Sequence, residues 1–148
     1  MRKGLGVLLT LGGAALVWLL KDKFLPRKHR RDITLTSKGG RCGVERPPEP
    51  VTLRRSKADE VHWIVRNDGS ACADDVQVCM GRWALGGSPV DPPVADVNGQ
   101  DLCRTVPSPQ TRPIHGRVKR DAAKGDYYYE VLINGDIAVD PIVRIVDA

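Results

Sequence analysis

The C-terminal stretch from Gly125 to Val146 has the clearest alternation of apolar and polar positions in the chain. From Tyr127 to Ile133, every second residue is aromatic or β-branched, and a more polar set lies between them, which is typical of a strand with one buried face. Asn134-Gly135 then favours a tight reversal, and a second β-rich run covers Ile142 to Val146. Because two strands cannot bury their own apolar face, upstream strands must complete a sheet or sandwich.

Five upstream segments have strand-like patterns and are separated by turn-forming residues. The predicted strands are Val51–Leu53, Glu60–Arg66, Asp75–Trp83, Leu102–Val106 and Ile114–Arg120. In the second of these, Val61, Trp63 and Val65 share one face. No helical period follows residue 25. Roughly six or seven short strands over about 100 residues predict an all-β domain built as an antiparallel Greek-key sandwich.

The segment from Leu5 to Leu20 has no charged residue, and Thr10 is its only polar side chain. As a helix it would be about 24 Å long, slightly less than the roughly 30 Å hydrocarbon core of a bilayer. Phe24 and Leu25 can extend the apolar contact. We therefore predict a short basic N-terminus over residues 1–4 and one transmembrane helix, an uncleaved signal-anchor, over residues 5–25.

Two other interpretations of the apolar segment stay open. Arg2-Lys3 followed by an apolar run also fits a cleaved signal peptide, although cleavage after Ala14 would leave the apolar sequence ALVWLL at the new N-terminus. A buried core helix would need polar positions at helical spacing, which this segment lacks.

Prolines and glycines dominate the segment that follows the apolar one. Ser37-Lys38-Gly39-Gly40 and Arg46-Pro47-Pro48-Glu49-Pro50 bracket it. Because proline lacks an amide donor and fixes its own φ, we expect residues 26–50 to form a basic, extended linker. The β-sandwich domain is then predicted to cover residues 51–148.

The positive charge of the chain is concentrated near its N-terminus. The net charge is +5, but residues 1–32 hold eight lysines and arginines against two acids, whereas residues 33–148 hold 15 against 16. The expected folded part thus offers no excess of positive charge, which argues against a nucleic-acid partner. The basic flank favours contact with the head groups of the lipid bilayer. Its residues are Lys21, Lys23, Arg27, Lys28, Arg30 and Arg31.

The side of the membrane on which the domain lies is ambiguous. The basic flank favours a cytoplasmic domain by the positive-inside rule. The four cysteines favour an oxidising, extracytoplasmic compartment if they form disulfides. Sequence allows three pairings, of which we prefer Cys79 with Cys103, in or beside predicted strands, and Cys42 with Cys72. No CxxC pair indicates a structural zinc site.

Two segments, VHWIVRN at Val61–Asn67 and GDYYYEVLINGDIAVDPIVRIV at Gly125–Val146, resemble the cupredoxin-like sandwich. The resemblance implies an all-β Greek-key sandwich. The fold that we predict is thus cupredoxin-like or Ig-like, and the predicted transmembrane helix precedes it. Copper-binding members carry an upstream His and then a Cys, a His and usually a Met near the last strands. Here no Cys, His or Met follows His115. The resemblance therefore implies a domain without the copper site, and no cofactor is expected.

An atypical copper site is the alternative. The chain contains ligand types that copper uses in proteins, namely imidazole and sulfur. The residues are His62, Cys79, Cys103 and His115. They are scattered in sequence, and an electron-transfer or metal-handling protein is the function that this alternative predicts.

The preferred prediction is a single-pass membrane protein that displays a metal-free β-sandwich as an interaction or assembly module for an unidentified protein partner. No catalytic constellation or phosphate-binding glycine loop is present, so no enzyme is expected. Loops carry most recognition, which directs attention to Gly86–Pro113. Tyr127 and Tyr129 are expected to face the core, and Tyr128 to face outward, either as part of a partner surface or in an ordinary cross-strand pair.

Overall fold

The computed structural model describes residues 24–84 and 91–147. Eleven strands and one 3-10 turn, at Arg55–Lys57, occur within these residues. The strands are β1 Lys28–Lys38, β2 Arg41–Val44, β3 Val51–Arg54, β4 Glu60–Asn67, β5 Val76–Ala84, β6 Val94–Ala95, β7 Cys103–Val106, β8 Gln110–Val118, β9 Gly125–Ile133, β10 Asp136–Val139 and β11 Ile142–Val146. The all-β prediction is therefore confirmed for this part of the chain.

Two sheets share one apolar core, as in a β-sandwich. The first sheet has the order β2-β1-β4-β8-β6, and the second has the order β3-β11-β9-β5-β7, with β10 paired to β9. No helix in the described ranges is long and apolar enough to cross a bilayer. Of the predicted anchor over residues 5–25, residues 5–23 lie outside those ranges, and only Phe24 and Leu25 are described.

The sheets are mixed, which corrects the prediction of purely antiparallel pairing. Strands β1 and β4 pair in parallel, as do β3 and β11. The physical reason for the first pair is a shared origin: β1 and β4 both start beside the carboxylate of Asp59, which accepts a hydrogen bond from the Arg27 backbone N–H at 2.7 Å. Two strands that leave the same point in the same direction must pair in parallel.

The segment expected to be an extended linker contains β1 and β2, so that expectation is wrong for residues 28–44. Ile33 and Leu35 are 0% and 7% exposed and belong to the core. The sequence of β1 shows no clear alternation of apolar and polar residues, because the first half of the strand is the basic run Lys28–Arg31. The ordered sheet therefore begins at Lys28 rather than near Val51.

Trp63 of β4 and Tyr129 of β9 join the two sheets at the centre of the core. Both side chains are fully buried, and their ring centroids lie 5.1 Å apart. Burial raises the pKa of Tyr129 to about 12. Tyr127 is also buried, so the prediction that Tyr127 and Tyr129 face the core is confirmed.

Gly116 of β8 provides a test of this packing. A Cβ atom at Gly116 would lie 2.7 Å from Cγ1 of Val94 and 3.0 Å from Cζ3 of Trp63. We expect Gly116→Ala to lower the free energy of unfolding by about 1–3 kcal/mol, because the core must shift to accept the methyl group. Urea unfolding followed by tryptophan fluorescence measures this change.

The matched control is Gly43→Ala in β2, where a Cβ atom would meet nothing within 4 Å. We expect its urea midpoint to stay close to that of the wild type. Equal midpoints for the two variants would contradict the described packing around Trp63.

Candidate functional site

The sandwich has two ends that differ in composition, and three chain segments form what we call the proximal end. These segments are Phe24–Arg27, Arg55–Asp59 and Lys119–Lys124. Arg55 links the second and third segments: its Nη1 donates to the carbonyl oxygen of Ala122 at 2.6 Å, and its Nε lies 2.5 Å from Oδ1 of Asp147. Asp59 and Lys57 link the first segment to the second, through the Arg27 backbone N–H and the Phe24 ring.

Asp59 fixes the point at which the chain joins the sandwich. Its side chain is 1% exposed and accepts four hydrogen bonds. Two come from the backbone N–H groups of Arg27 and Arg54, at 2.7 and 3.0 Å. The other two come from the Arg54 guanidinium, at 2.9 and 2.8 Å. A buried carboxylate requires such partners, so the start of β1 and the end of β3 are held together through one ion.

The surroundings of Asp59 also set the pKa values of two groups. Burial raises the pKa of Asp59, but the hydrogen bonds from Arg54 and from the Arg27 backbone outweigh burial, so the net pKa lies below its usual value. The Nε2 atom of His29 lies 3.7 Å from Oδ2 of Asp59. Burial, together with the charges of Arg31 and Arg27, lowers the pKa of His29 below its usual value despite the opposing effect of Asp59.

Two large apolar side chains are exposed at the proximal end. Phe24 is 66% exposed and Leu25 is 47% exposed. The Lys57 ammonium lies 5.2 Å from the centre of the Phe24 ring, and Arg54 Nη2 donates to the carbonyl oxygen of Leu25 at 3.2 Å. These contacts hold Phe24 and Leu25 against the sandwich while their apolar surface stays accessible.

The opposite, distal end is built from four connections that contact one another. They are Lys38–Arg41, Asp68–Asp75, Pro107–Pro109 and Asn134–Asp136. Ser108 Oγ donates to the carbonyl oxygen of Cys72 at 3.5 Å, and the Asn134 backbone N–H donates to that of Asp75 at 3.1 Å. The distal segments hold two bases and four acids. The proximal segments hold six bases and two acids, and Asp91 and Asp147 add two acids at this end through ion pairs with Lys119 and Arg55. The domain is therefore polarised, with its positive end where the chain enters the sheet.

The predicted membrane contacts divide into three groups. Lys21 and Lys23 lie outside the described residues, and Arg27 and Lys28 are exposed where the chain enters β1. The other two are engaged within the domain. Arg30 pairs with Asp32 at 2.8 Å. Arg31 donates to the carbonyl oxygens of Glu49 and Pro50, at 2.9 and 2.7 Å.

Five of the six bases in the proximal segments were missed from sequence. Arg55 and Lys57 follow β3, and Lys119, Arg120 and Lys124 lie between β8 and β9. Their spacing along the chain gives no signal, because only the fold brings them to the same end of the sandwich. Arg55 supplies the link, since its hydrogen bond to Ala122 places the loop after β8 next to the turn after β3.

The structure does not bring the four residues of the alternative copper site together. His62 and His115 are cross-strand neighbours on the outer face of the first sheet, with ring centroids 4.2 Å apart. Burial and the neighbouring His62 lower the pKa of His115. Cys79 and Cys103 lie in the second sheet and are bonded to each other. Among the described residues, no group of three or more His, Cys, Asp or Glu side chains could hold a metal ion.

All four cysteines of the chain form disulfides. Cys79 of β5 pairs with Cys103 of β7. Cys42 of β2 pairs with Cys72, which lies in the connection from β4 to β5. This is the pairing that the sequence analysis prefers. The first bridge ties β7 to its neighbouring strand, and the second ties the edge strand β2 to the distal loops.

The two predicted partner surfaces, Tyr128 and the region Gly86–Pro113, lie in different parts of the domain. Tyr128 is partly buried and pairs across strands with Ile142. The described part of Gly86–Pro113 lines a groove of about 260 Å³ between β7 and β8. Arg104 forms an ion pair there with Asp96, which also accepts the backbone N–H groups of the turn that follows it. The Asp96 carboxylate therefore stabilises the turn that follows it. Val97, which is 68% exposed, is the large apolar side chain of the groove that is open to solvent.

Asp59→Asn tests the role of this carboxylate in stability. Because the folded pKa of Asp59 lies below its usual value of 3.8, its contribution is present above that pH and is lost as the pH falls through the folded pKa. We expect the variant to lose about 3 kcal/mol at neutral pH, since Arg54 is left as a largely buried cation. We also expect the variant to lose less stability than the wild type when the pH is lowered from neutral to about 3. Urea unfolding at both pH values measures this.

The matched control is Asp126→Asn, which removes an ion pair to Arg144 at the surface. We expect a much smaller change from this variant, because exposed pairs contribute little. Equal losses for the two variants would show that Asp59 is no more important than a surface carboxylate.

Comparison with known proteins adds no family assignment. No protein-family model matches the chain, and no curated protein matches it in sequence. The features from which function can be inferred are therefore the polarity of the two ends, the disulfides and the place where the chain enters β1.

Proposed function

We propose that this chain is a single-pass membrane protein that holds a disulfide-linked β-sandwich at the membrane surface as an interaction or assembly module. The observation that carries the proposal is the position of β1. It begins at Lys28, a few residues after the apolar segment Leu5–Leu20, and Asp59 fixes its start. An apolar segment of this length is best accommodated in a bilayer.

The connection between the apolar segment and the domain is short. Only Lys21-Asp22-Lys23 separates Leu20 from Phe24. Even fully extended, four residue steps span at most about 14 Å. A membrane-anchored chain of this kind therefore keeps its domain beside the head groups, whereas the expected linker over residues 26–50 would have let it move away.

We place the domain on the extracytoplasmic side. Disulfides persist in oxidising compartments, and both bridges form within ordinary strand and loop contacts. The basic flank argues for the opposite orientation. However, the positive-inside rule applies mainly to short loops, and large domains are translocated largely regardless of charge. The two disulfides therefore carry more weight.

A cupredoxin-like architecture without a copper site fits this proposal. The two-sheet sandwich supports the resemblance at the level of fold class. The likeness in Val61–Asn67 and Gly125–Val146 falls on β4 and on β9 to β11. Recognition of a protein partner would then use the distal end, which lies opposite the point of attachment, and the groove between β7 and β8.

Metal handling is the second candidate, and the His62–His115 pair is the observation that favours it. The Nε2 atom of His62 lies 3.2 Å from Oε2 of Glu60, but the described side chains of this face do not form a group of three that could hold a metal ion. The proposal of an interaction module predicts that copper(II) and zinc(II) leave the melting temperature unchanged. Differential scanning calorimetry with each metal and with a chelator measures this, and His62→Ala is the control. A rise in melting temperature that His62→Ala abolishes would favour metal handling.

The compartment can be tested by thiol labelling of the full-length protein in intact cells. A membrane-impermeant maleimide is applied with and without an impermeant reductant. We expect labelling in intact cells only after reduction, because all four cysteines are bonded and accessible from outside. A cytoplasmic protein with a known free thiol serves as the control for intact membranes.

Labelling without any reductant, and only after lysis, would contradict the extracytoplasmic assignment. Recovery of the full-length protein in the soluble fraction after carbonate extraction would contradict membrane anchoring itself.

A further inference from the structure

We infer that the proximal end is a binding surface for anionic phospholipid head groups and that it sets the domain upright on the bilayer. This inference rests on the proposed membrane attachment and adds an orientation to it. The bases that it assigns to lipid contact are Arg27, Lys57, Arg120 and Lys124, with Phe24 and Leu25 at the boundary of the apolar layer.

The contacts within the proximal end form one continuous surface. Lys57 lies over Phe24 at 5.2 Å from the ring centre. The hydrogen bond of 2.6 Å from Arg55 to the carbonyl oxygen of Ala122 links the turn after β3 to the loop after β8. Arg120 is exposed on that loop. The Lys124 side chain is 62% exposed, with its ammonium 3.4 Å from the Asp147 carboxylate. Bases from three distant segments thus lie at the same end of the sandwich as two exposed apolar side chains.

This arrangement fits the interface of a membrane better than a soluble partner. Aromatic and aliphatic side chains partition into the boundary between head groups and acyl chains, while lysine and arginine keep their charges among the phosphates. The chain before Phe24 would bring the proximal end to the bilayer, because only three residues separate Phe24 from the end of the apolar segment. The occupant is therefore a bilayer surface that carries negative charge.

The distal end has the opposite balance of charge. Its segments hold four acids against two bases, so an anionic surface repels it. Attraction at one end and repulsion at the other favour a single orientation, with β1 and β4 running away from the membrane from Lys28 and Glu60. The Cys42–Cys72 bridge and the distal loops then face the aqueous phase, where a protein partner can reach them.

The test uses full-length protein reconstituted in nanodiscs of phosphatidylcholine alone or of phosphatidylcholine mixed with phosphatidylglycerol. Hydrogen–deuterium exchange is followed in peptides that cover Arg55–Asp59 and Lys119–Lys124. We expect severalfold slower exchange in the anionic nanodiscs for these peptides and no change for Asp68–Asp75 at the distal end. High salt should remove the difference in the wild type, because it screens charges beyond a Debye length.

The triple variant Lys57→Glu, Arg120→Glu, Lys124→Glu should lose the dependence on anionic lipid. Its matched control is Lys38→Glu with Arg41→Glu, which reverses two bases at the distal end and should keep that dependence. Unchanged exchange in Asp68–Asp75 shows that each variant is folded. If the triple variant does not fold, the salt dependence of the wild type decides the question.

The outcomes separate the two proposals. Failure of the full-length protein to enter nanodiscs of either composition would overturn membrane attachment. Stable incorporation with equal exchange in both lipids, or with protection at the distal end, would overturn the orientation and leave the attachment intact.

Discussion

The buried carboxylate of Asp59 is the constraint on which the rest of the structure depends. An ionised side chain that is 1% exposed is tolerated only when its oxygen atoms are satisfied, and here Arg54 and the Arg27 backbone supply those partners. The backbone of Asp59 takes part as well, since its carbonyl oxygen accepts the N–H of Val118 at 3.0 Å. One residue therefore holds the start of β1, the end of β3 and the end of β8.

That constraint determines the topology and the place where the chain enters the sandwich. Because β1 and β4 start beside the same ion, they run in parallel, and the chain before Lys28 leaves the sandwich at a fixed place. The loop after β8 is brought there by Arg55, through Ala122 and Asp147. The concentration of positive charge at one end is therefore a consequence of how the sheets are joined, and the sequence shows only a neutral domain after a basic flank.

Alternation predicted the strands whose apolar residues are frequent, and it failed where polar residues occupy both faces. Val61, Trp63 and Val65 identified β4, and the tyrosine-rich run identified β9. Strand β1 was missed because Arg31 occupies an inward position, where its guanidinium binds the carbonyl oxygens of Glu49 and Pro50. The proximal end could not be assembled from sequence, since Lys57 and Arg120 lie far apart along the chain and only tertiary contacts join them.

A short connection between the apolar segment and the domain would increase the effect of weak contacts between the domain and lipid head groups. In the proposed anchored arrangement, exposed bases that bind head groups with little affinity in free solution would act at the high effective concentration that attachment provides, so a few of them would suffice to orient the domain. Rigidity matters equally, because a surface held by Asp59 and Arg54 transmits the orientation of the proximal end to the whole sandwich. The two disulfides extend that rigidity to the edge strand β2 and to β7. A partner would therefore meet the distal loops at a defined height and angle above the membrane, which is the property required of a module that assembles with other proteins on a surface.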